Sequence, residues 1–198
     1  MNTVLAVVGV IASYVVGTMP SAIVVARSKG VDITSFGSGN PGASNVGRAL
    51  GMKWGALVFV LDAAKGAVPV AIALLAADQR SIAYVCGAAA IMGHIFPVTR
   101  GFKGGKGIAT GGGVLLPLHP PVMIGAVIFW LVAAKVTKKA SVASIVVVPL
   151  VMVALAVIGT PAWEIAALVG LGALIEVRHL SNIKRLISGT EHAVRRGA

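Results

Sequence analysis

The chain has 198 residues, 57% of them apolar and 12% charged, with a mean hydropathy of +0.94. A water-soluble domain carries roughly a quarter charged residues, so this apolar excess argues against a fold bathed in water and for a bilayer. The net charge of +11 argues for no nucleic-acid partner, because the basic residues punctuate apolar runs and do not line one polar surface; Cys86, alone, excludes an intrachain disulfide and a Cys-based metal site.

A membrane helix takes about 20 apolar residues. The run 3–26 has no charge before Arg27, lacks the basic start of a signal peptide and is longer than its apolar region, so it predicts a retained first span. A polar stretch follows, with GSGNPGASNVGR at 37–48. Runs 54–76 and 81–99 predict the next two spans, the former carrying Asp62 and Lys65 three apart on one face as an expected structural ion pair. Then comes GFKGGKGIATGGG at 101–113. The charge-free run 107–134 is too long for one span, and Pro117, Pro120 and Pro121 divide it into helices over 107–117 and 121–135. The first of these is only ~15 Å long at 1.5 Å per residue. Runs 140–158 and 161–177 complete seven spans.

The expected fold is therefore all-α and polytopic, one membrane-embedded domain over 1–198. With the N-terminus outside, segments 27–53, 100–106, 135–139 and 178–198 are internal and hold 15 of the 17 Lys and Arg residues. The positive-inside rule then places the C-terminus in the cytoplasm, and Trp54, Trp130 and Trp163 fall near predicted helix ends. His94 and His119 stand apart without ligand partners, so no metal is expected; His119, at the outer proline turn, is expected to be solvated.

Three unusual segments gather on the cytoplasmic side. In the first, Gly37-Ser38-Gly39-Asn40-Pro41-Gly42 matches a dinucleotide fingerprint, but a membrane span precedes it and no strand–helix unit surrounds it. A flexible loop and a phosphate cradle both remain open; in the cradle, glycines permit close approach, Ser38 and Asn40 donate, and Arg48 adds a charge-assisted contact. The second resembles a Walker A loop but has Gly107 where Ser or Thr is required, so no nucleotide is expected. Lys103 and Lys106 either mark topology or, at a helix start, serve an anion. The third, RHLSNIKRLISGTE, places His179, Ser181 and Asn182 just after the last span, with no evident carboxylate to orient the histidine. Ser141 and Ser144 share a helix face near the same surface. The His–x4–Asp pair of many glycerolipid acyltransferases is absent: Thr99, Ile124, Lys184 and Gly197 stand five beyond the four histidines.

Together, GSGNPGASNVGR, GHIFPVTRGFKGGKGIATGGG and RHLSNIKRLISGTE resemble the signature segments of the bacterial acyl-phosphate:glycerol-3-phosphate acyltransferases (PlsY family). The likeness covers the whole chain, including LDAAKG in the second span and KKASVAS before the sixth; Ser44 stands where the family often has Thr, and Arg100 adds a charge whose role the sequence does not reveal. The resemblance implies a bacterial inner-membrane enzyme, its site facing the cytoplasm, that moves a fatty acyl group from acyl phosphate to the 1-hydroxyl of glycerol 3-phosphate. It implies no cofactor and no obligate protein partner. By that similarity Arg48, Lys106, Ser144, His179 and Asn182 hold glycerol 3-phosphate, while Gly37, Ser38, Gly39, Asn40 and Gly42 hold the acyl phosphate. Lys106, Ser38 and His179 are the implied catalytic residues. A transporter of a small phosphate ester is the alternative, sharing the helices and cationic loops.

Overall fold

The computed structural model describes residues 3–77 and 79–194. The regular elements among them are all helical: α1 (Thr3–Gly17), α2 (Ser21–Arg27), α3 (Ala43–Leu50), α4 (Met52–Ala76), α5 (Arg80–Ile95), α6 (Ile108–Leu118), α7 (Pro120–Thr137), α8 (Ala140–Val157), α9 (Ala162–Arg178) and α10 (Leu180–Ile187), with one 3-10 turn at Val98–Arg100. Five segments are long and apolar enough to cross a membrane: Thr3–Arg27, Met52–Ala76, Arg80–Arg100, Pro120–Thr137 and Ala140–Val157; α6 is a shorter apolar helix. The 17-residue α9 carries Glu164, Glu176 and Arg178 near its ends. Arg195 and Arg196, counted above among the inner charges, lie outside the described residues.

The first apolar run is not one continuous helix. Pro20 has no N–H to donate and its ring crowds the preceding turn, so α1 ends at Gly17 and α2 restarts at Ser21. The break frees the carbonyls of Thr18 and Met19, which accept hydrogen bonds from Arg100 Nη2 at 3.4 Å and Lys65 Nζ at 3.0 Å. Arg100, unexplained by sequence, thus caps the end of the first apolar helix. Likewise α5 stops at Ile95, two residues before Pro97, where a helix cannot continue.

The chain divides into two compact units, Met1–Leu118 and His119–Ala198. In the first, α4 packs against every other helix. Its contact with α6 is backbone-close: a Cβ on Gly66 would overlap the Thr110 carbonyl, and one on Gly113 would overlap that of Ala63. Small residues at such crossings let membrane helices approach and gain dispersion contacts. Gly113→Ala must therefore push α6 off α4, at a cost of about 1–3 kcal/mol for an overpacked core. The expected result is a lowered melting temperature in detergent; an unchanged one would contradict this packing.

In the second unit, α8 packs against α7 and α9, and α10 follows on α9. His119 is not solvated, contrary to expectation. Its side chain is only 10% exposed and Nε2 lies 3.1 Å from Glu164 Oε2, tying the starts of α7 and α9 together. Burial beside a carboxylate satisfies both polar groups where sequence showed only a proline turn.

Candidate active site

The first glycine-rich segment is a loop wrapped around one buried side chain. Asn45, 1% exposed on the short helix α3, donates from Nδ2 to the carbonyls of Phe36 (2.8 Å) and Ile33 (3.2 Å). Its Oδ1 accepts from Arg48 Nη2 at 3.2 Å and from the Ser38 amide at 3.4 Å. Arg48 Nη2 also reaches Ser38 Oγ at 3.4 Å, and the Asn40 amide donates to the same oxygen at 3.4 Å. Ser38, Asn40 and Arg48 are thus gathered around Asn45. Gly37 (φ 56°) and Gly39 (φ 66°) supply the left-handed backbone of the loop, and a Cβ on Gly37 would sit 2.7 Å from Asn45 Oδ1. Ala22, Val25, Ala26, Ile33, Val46 and Val58 form the apolar floor beneath.

Sequence reasoning missed Asn45. The available signal was its spacing three residues before Arg48, which puts the two on one helix face. Asn45→Ala removes the acceptor and both donors that close the loop; a buried unsatisfied group costs about 1–3 kcal/mol. Lower stability together with weaker substrate binding is expected, and wild-type affinity in a folded Asn45→Ala protein would show that the loop closes without it.

The second segment is a buried turn ahead of α6. Gly104 and Gly105 are buried against His94, whose carbonyl accepts the Gly105 N–H at 3.1 Å. Lys106 is partly buried immediately before Gly107 (φ 92°) and the start of α6, whereas Lys103 is exposed. An ammonium at a helix start acts on the same anion as the first backbone N–H groups. The Asp62–Lys65 ion pair is present at 2.7 Å, with both side chains buried. His94 does not stand apart from it, as sequence suggested: its Nδ1 lies 3.8 Å from Asp62 Oδ1.

In the second unit, His179 is 2% exposed at the junction of α9 and α10. Its Nδ1 pairs with the Ile175 carbonyl at 2.8 Å. A carbonyl only accepts, so Nδ1 carries the proton and Nε2 of the neutral ring is an acceptor. A backbone carbonyl thus helps to orient this ring. Ser144 is buried on α8, and its Oγ accepts the Trp130 indole N–H at 3.0 Å. Trp130 is thus committed to a polar partner inside the unit.

Glu191 is the other residue that sequence left without a role. The turn at Ser188–Gly189 (Gly189 φ 72°) folds the chain back, and the Val194 amide reaches the Lys138 carbonyl at 2.8 Å. The Glu191 side chain is 4% exposed, accepting from Asn182 Nδ2 at 2.7 Å and Arg185 Nε at 2.8 Å. Burial alone would raise this carboxyl. The hydrogen bonds from Asn182 and Arg185, with the nearby Ser141 hydroxyl and the Arg185 charge, outweigh burial and hold it below its ordinary value. A lowered folded pKa stabilises the protein fully above the unfolded value of about 4.5, and that stability is lost as pH falls through the lower folded value. Glu191→Gln should therefore melt at lower temperature at neutral pH and flatten the acid limb of the melting profile. Parallel profiles for variant and wild type would contradict this. Among the described residues no three His, Cys, Asp or Glu side chains cluster as metal ligands.

The sequence model of the family described as glycerol-3-phosphate acyltransferase matches residues 7–189. A glycerol-3-phosphate acyltransferase of Aquifex aeolicus (strain VF5) is 42% identical over 184 residues, covering 92% of this chain and 96% of that one. One from Anaeromyxobacter sp. (strain Fw109-5) is 42% identical over 205 residues, covering 98% of each. Among solved structures, PlsY (YgiH), an integral membrane glycerol 3-phosphate acyltransferase, in its glycerol 3-phosphate form matches with a TM-score of 0.90 at 41% identity, over 96% of this chain and 95% of that one. Its lysophosphatidic acid form matches with a TM-score of 0.88 at the same identity and coverage. Helical segments long and apolar enough for a bilayer, together with these relatives, place the chain among integral membrane acyltransferases. The chain belongs to the glycerol-3-phosphate acyltransferase family.

Proposed function

We propose that the whole chain acts as one membrane-embedded domain that transfers a fatty acyl group from acyl phosphate to the 1-hydroxyl of glycerol 3-phosphate. The products are lysophosphatidic acid and inorganic phosphate. The observation that carries this reading is the Ser38–Asn45–Arg48 cradle, built from a glycine-rich loop and closed by a guanidinium. The glycine-rich backbone of the loop with Ser38 suits one phosphate, and the cations at its edge, Arg48 and Lys106, suit a second. Both substrates carry phosphate.

In this mechanism Gly37, Ser38, Gly39, Asn40 and Gly42 bind the acyl phosphate. Arg48, Lys106, Ser144, His179 and Asn182 bind glycerol 3-phosphate. The glycerol oxygen attacks the acyl carbonyl carbon, the bond from that carbon to the phosphate oxygen breaks, and phosphate leaves. An acyl phosphate is already activated, so the protein's work is alignment and neutralisation of two anions. Lys106 neutralises charge at the carbonyl oxygen, and a phosphate oxygen of the donor takes the hydroxyl proton. His179, its Nδ1 turned to the Ile175 carbonyl, presents Nε2 to orient that hydroxyl, as an acceptor when the ring is neutral. No cofactor or protein partner is invoked.

The site faces the cytoplasm of a bacterial inner membrane with seven spans, the N-terminus outside and the C-terminus inside. The distribution of Lys and Arg supports that orientation. A reporter fused after Ala198 should be active only in the cytoplasm; activity only outside would reverse the topology.

The competing reading is a transporter of small phosphate esters. Purified protein in vesicles distinguishes the two. With acyl phosphate present, one lysophosphatidic acid and one phosphate should form per acyl group consumed. Flux of glycerol 3-phosphate across the vesicle wall without product would establish the transporter instead.

A further inference from the structure

The mechanism above leaves one buried cluster unused, and it lies directly beneath the Lys106 turn. Asp62, Lys65 and His94 are 2%, 5% and 6% exposed on α4 and α5. Asp62 Oδ1 binds Lys65 Nζ at 2.7 Å, and Lys65 Nζ also donates to the Met19 carbonyl at 3.0 Å. Arg100 holds the neighbouring Thr18 carbonyl at 3.4 Å. The pair is therefore anchored at the break between α1 and α2, on backbone that cannot move without unwinding a helix end. Ionisable groups are costly inside a membrane protein, so this arrangement calls for a return in function or rigidity.

His94 links the pair to the turn. One edge of its ring lies 3.8 Å from Asp62, at Nδ1. The other edge, at Nε2, fills the space a Cβ on Gly105 would need, and the His94 carbonyl takes the Gly105 N–H at 3.1 Å. The residue below is also fixed. Tyr14 donates its hydroxyl to the Phe96 carbonyl at 2.8 Å and accepts the Val98 amide at 3.1 Å, so α1 holds the chain on either side of Pro97.

We infer that His94, held against the Asp62–Lys65 pair, is a positioning residue that sets the height of the Gly104–Gly105 turn and so aims Lys106. This rests on the reading of Lys106 as a ligand of glycerol 3-phosphate. His94 touches neither substrate in this scheme. Its effect passes through the lysine that follows Gly105, and it should appear in substrate affinity more than in turnover.

A double-mutant cycle in purified, folded protein tests this. His94→Asn keeps a polar group toward Asp62 but is too short to support Gly105; His94→Gln reaches as far as Nε2. His94→Asn should raise KM for glycerol 3-phosphate about 10-fold while kcat stays within about 3-fold, the split expected when binding is lost rather than chemistry. His94→Gln should recover most of the affinity. In a Lys106→Ala background, His94→Asn should add less than about 2-fold, because residues acting through one contact are not additive. Gly105→Ala must displace the same ring from the other side and should raise KM similarly; an unchanged KM there overturns the inference even if His94→Asn does not fold. Effects of His94→Asn and Lys106→Ala that simply multiply would also overturn it, leaving the role of Lys106 intact. If Lys106→Ala alone leaves KM unchanged, the ligand assignment beneath the inference is what fails.

Discussion

Arg48→Ala should lower kcat/KM by about 30-fold or more, the consequence of removing one partner of a charge-assisted contact worth roughly 2 kcal/mol at the least. Two losses combine. The proposed ligand of the glycerol 3-phosphate phosphate disappears, and so does the guanidinium that joins Ser38 Oγ to Asn45 Oδ1. Arg48→Lys restores charge but not the planar, five-donor guanidinium, one nitrogen of which already serves both Ser38 and Asn45, so it should recover only part of the activity. Steady-state kinetics on detergent-purified variants of matched melting temperature decide this. Full activity in Arg48→Lys would mean that only a point charge is needed there.

Lys106→Ala is the second large effect. A charge-assisted hydrogen bond contributes roughly 1.5–3 kcal/mol, so the expected loss in kcat/KM is about 10-fold or greater. Lys103→Ala should do much less. Only Gly104 and Gly105 separate these lysines, yet Lys103 is exposed while Lys106 is half-buried where the turn meets α6. Equal activity in the two variants, or greater damage from Lys103→Ala, would place the anion elsewhere in this segment.

The helical architecture was legible because apolar runs of membrane length leave little choice of structure: backbone groups in lipid must be satisfied within the segment. Proline marked the α6–α7 division at Pro120, which opens α7, although Pro117 sits inside α6. Within the first span, hydropathy runs unbroken past Pro20 and gives no sign that the helix stops at Gly17 and restarts at Ser21. The polar loops showed which residues are unusual but not what holds them. His94 and Glu191 meet partners distant in the chain or on a returning turn, and single-sequence spacing carries no record of such contacts; for Asn45 it records only Arg48, not the loop carbonyls of Ile33 and Phe36. His119 shows the same limit, since its partner Glu164 lies 45 residues away.

The central claim is the identity of the acyl donor, and one parallel assay addresses it most directly. Purified protein with glycerol 3-phosphate is given acyl phosphate, acyl-CoA or acylated acyl carrier protein of one chain length, and lysophosphatidic acid is followed over time. The two glycine-rich anion sites proposed above, with no protein base invoked, predict rapid product formation with acyl phosphate, matched by release of inorganic phosphate. Neither thioester should serve as an immediate donor. Equal or faster turnover with acyl-CoA would contradict the account.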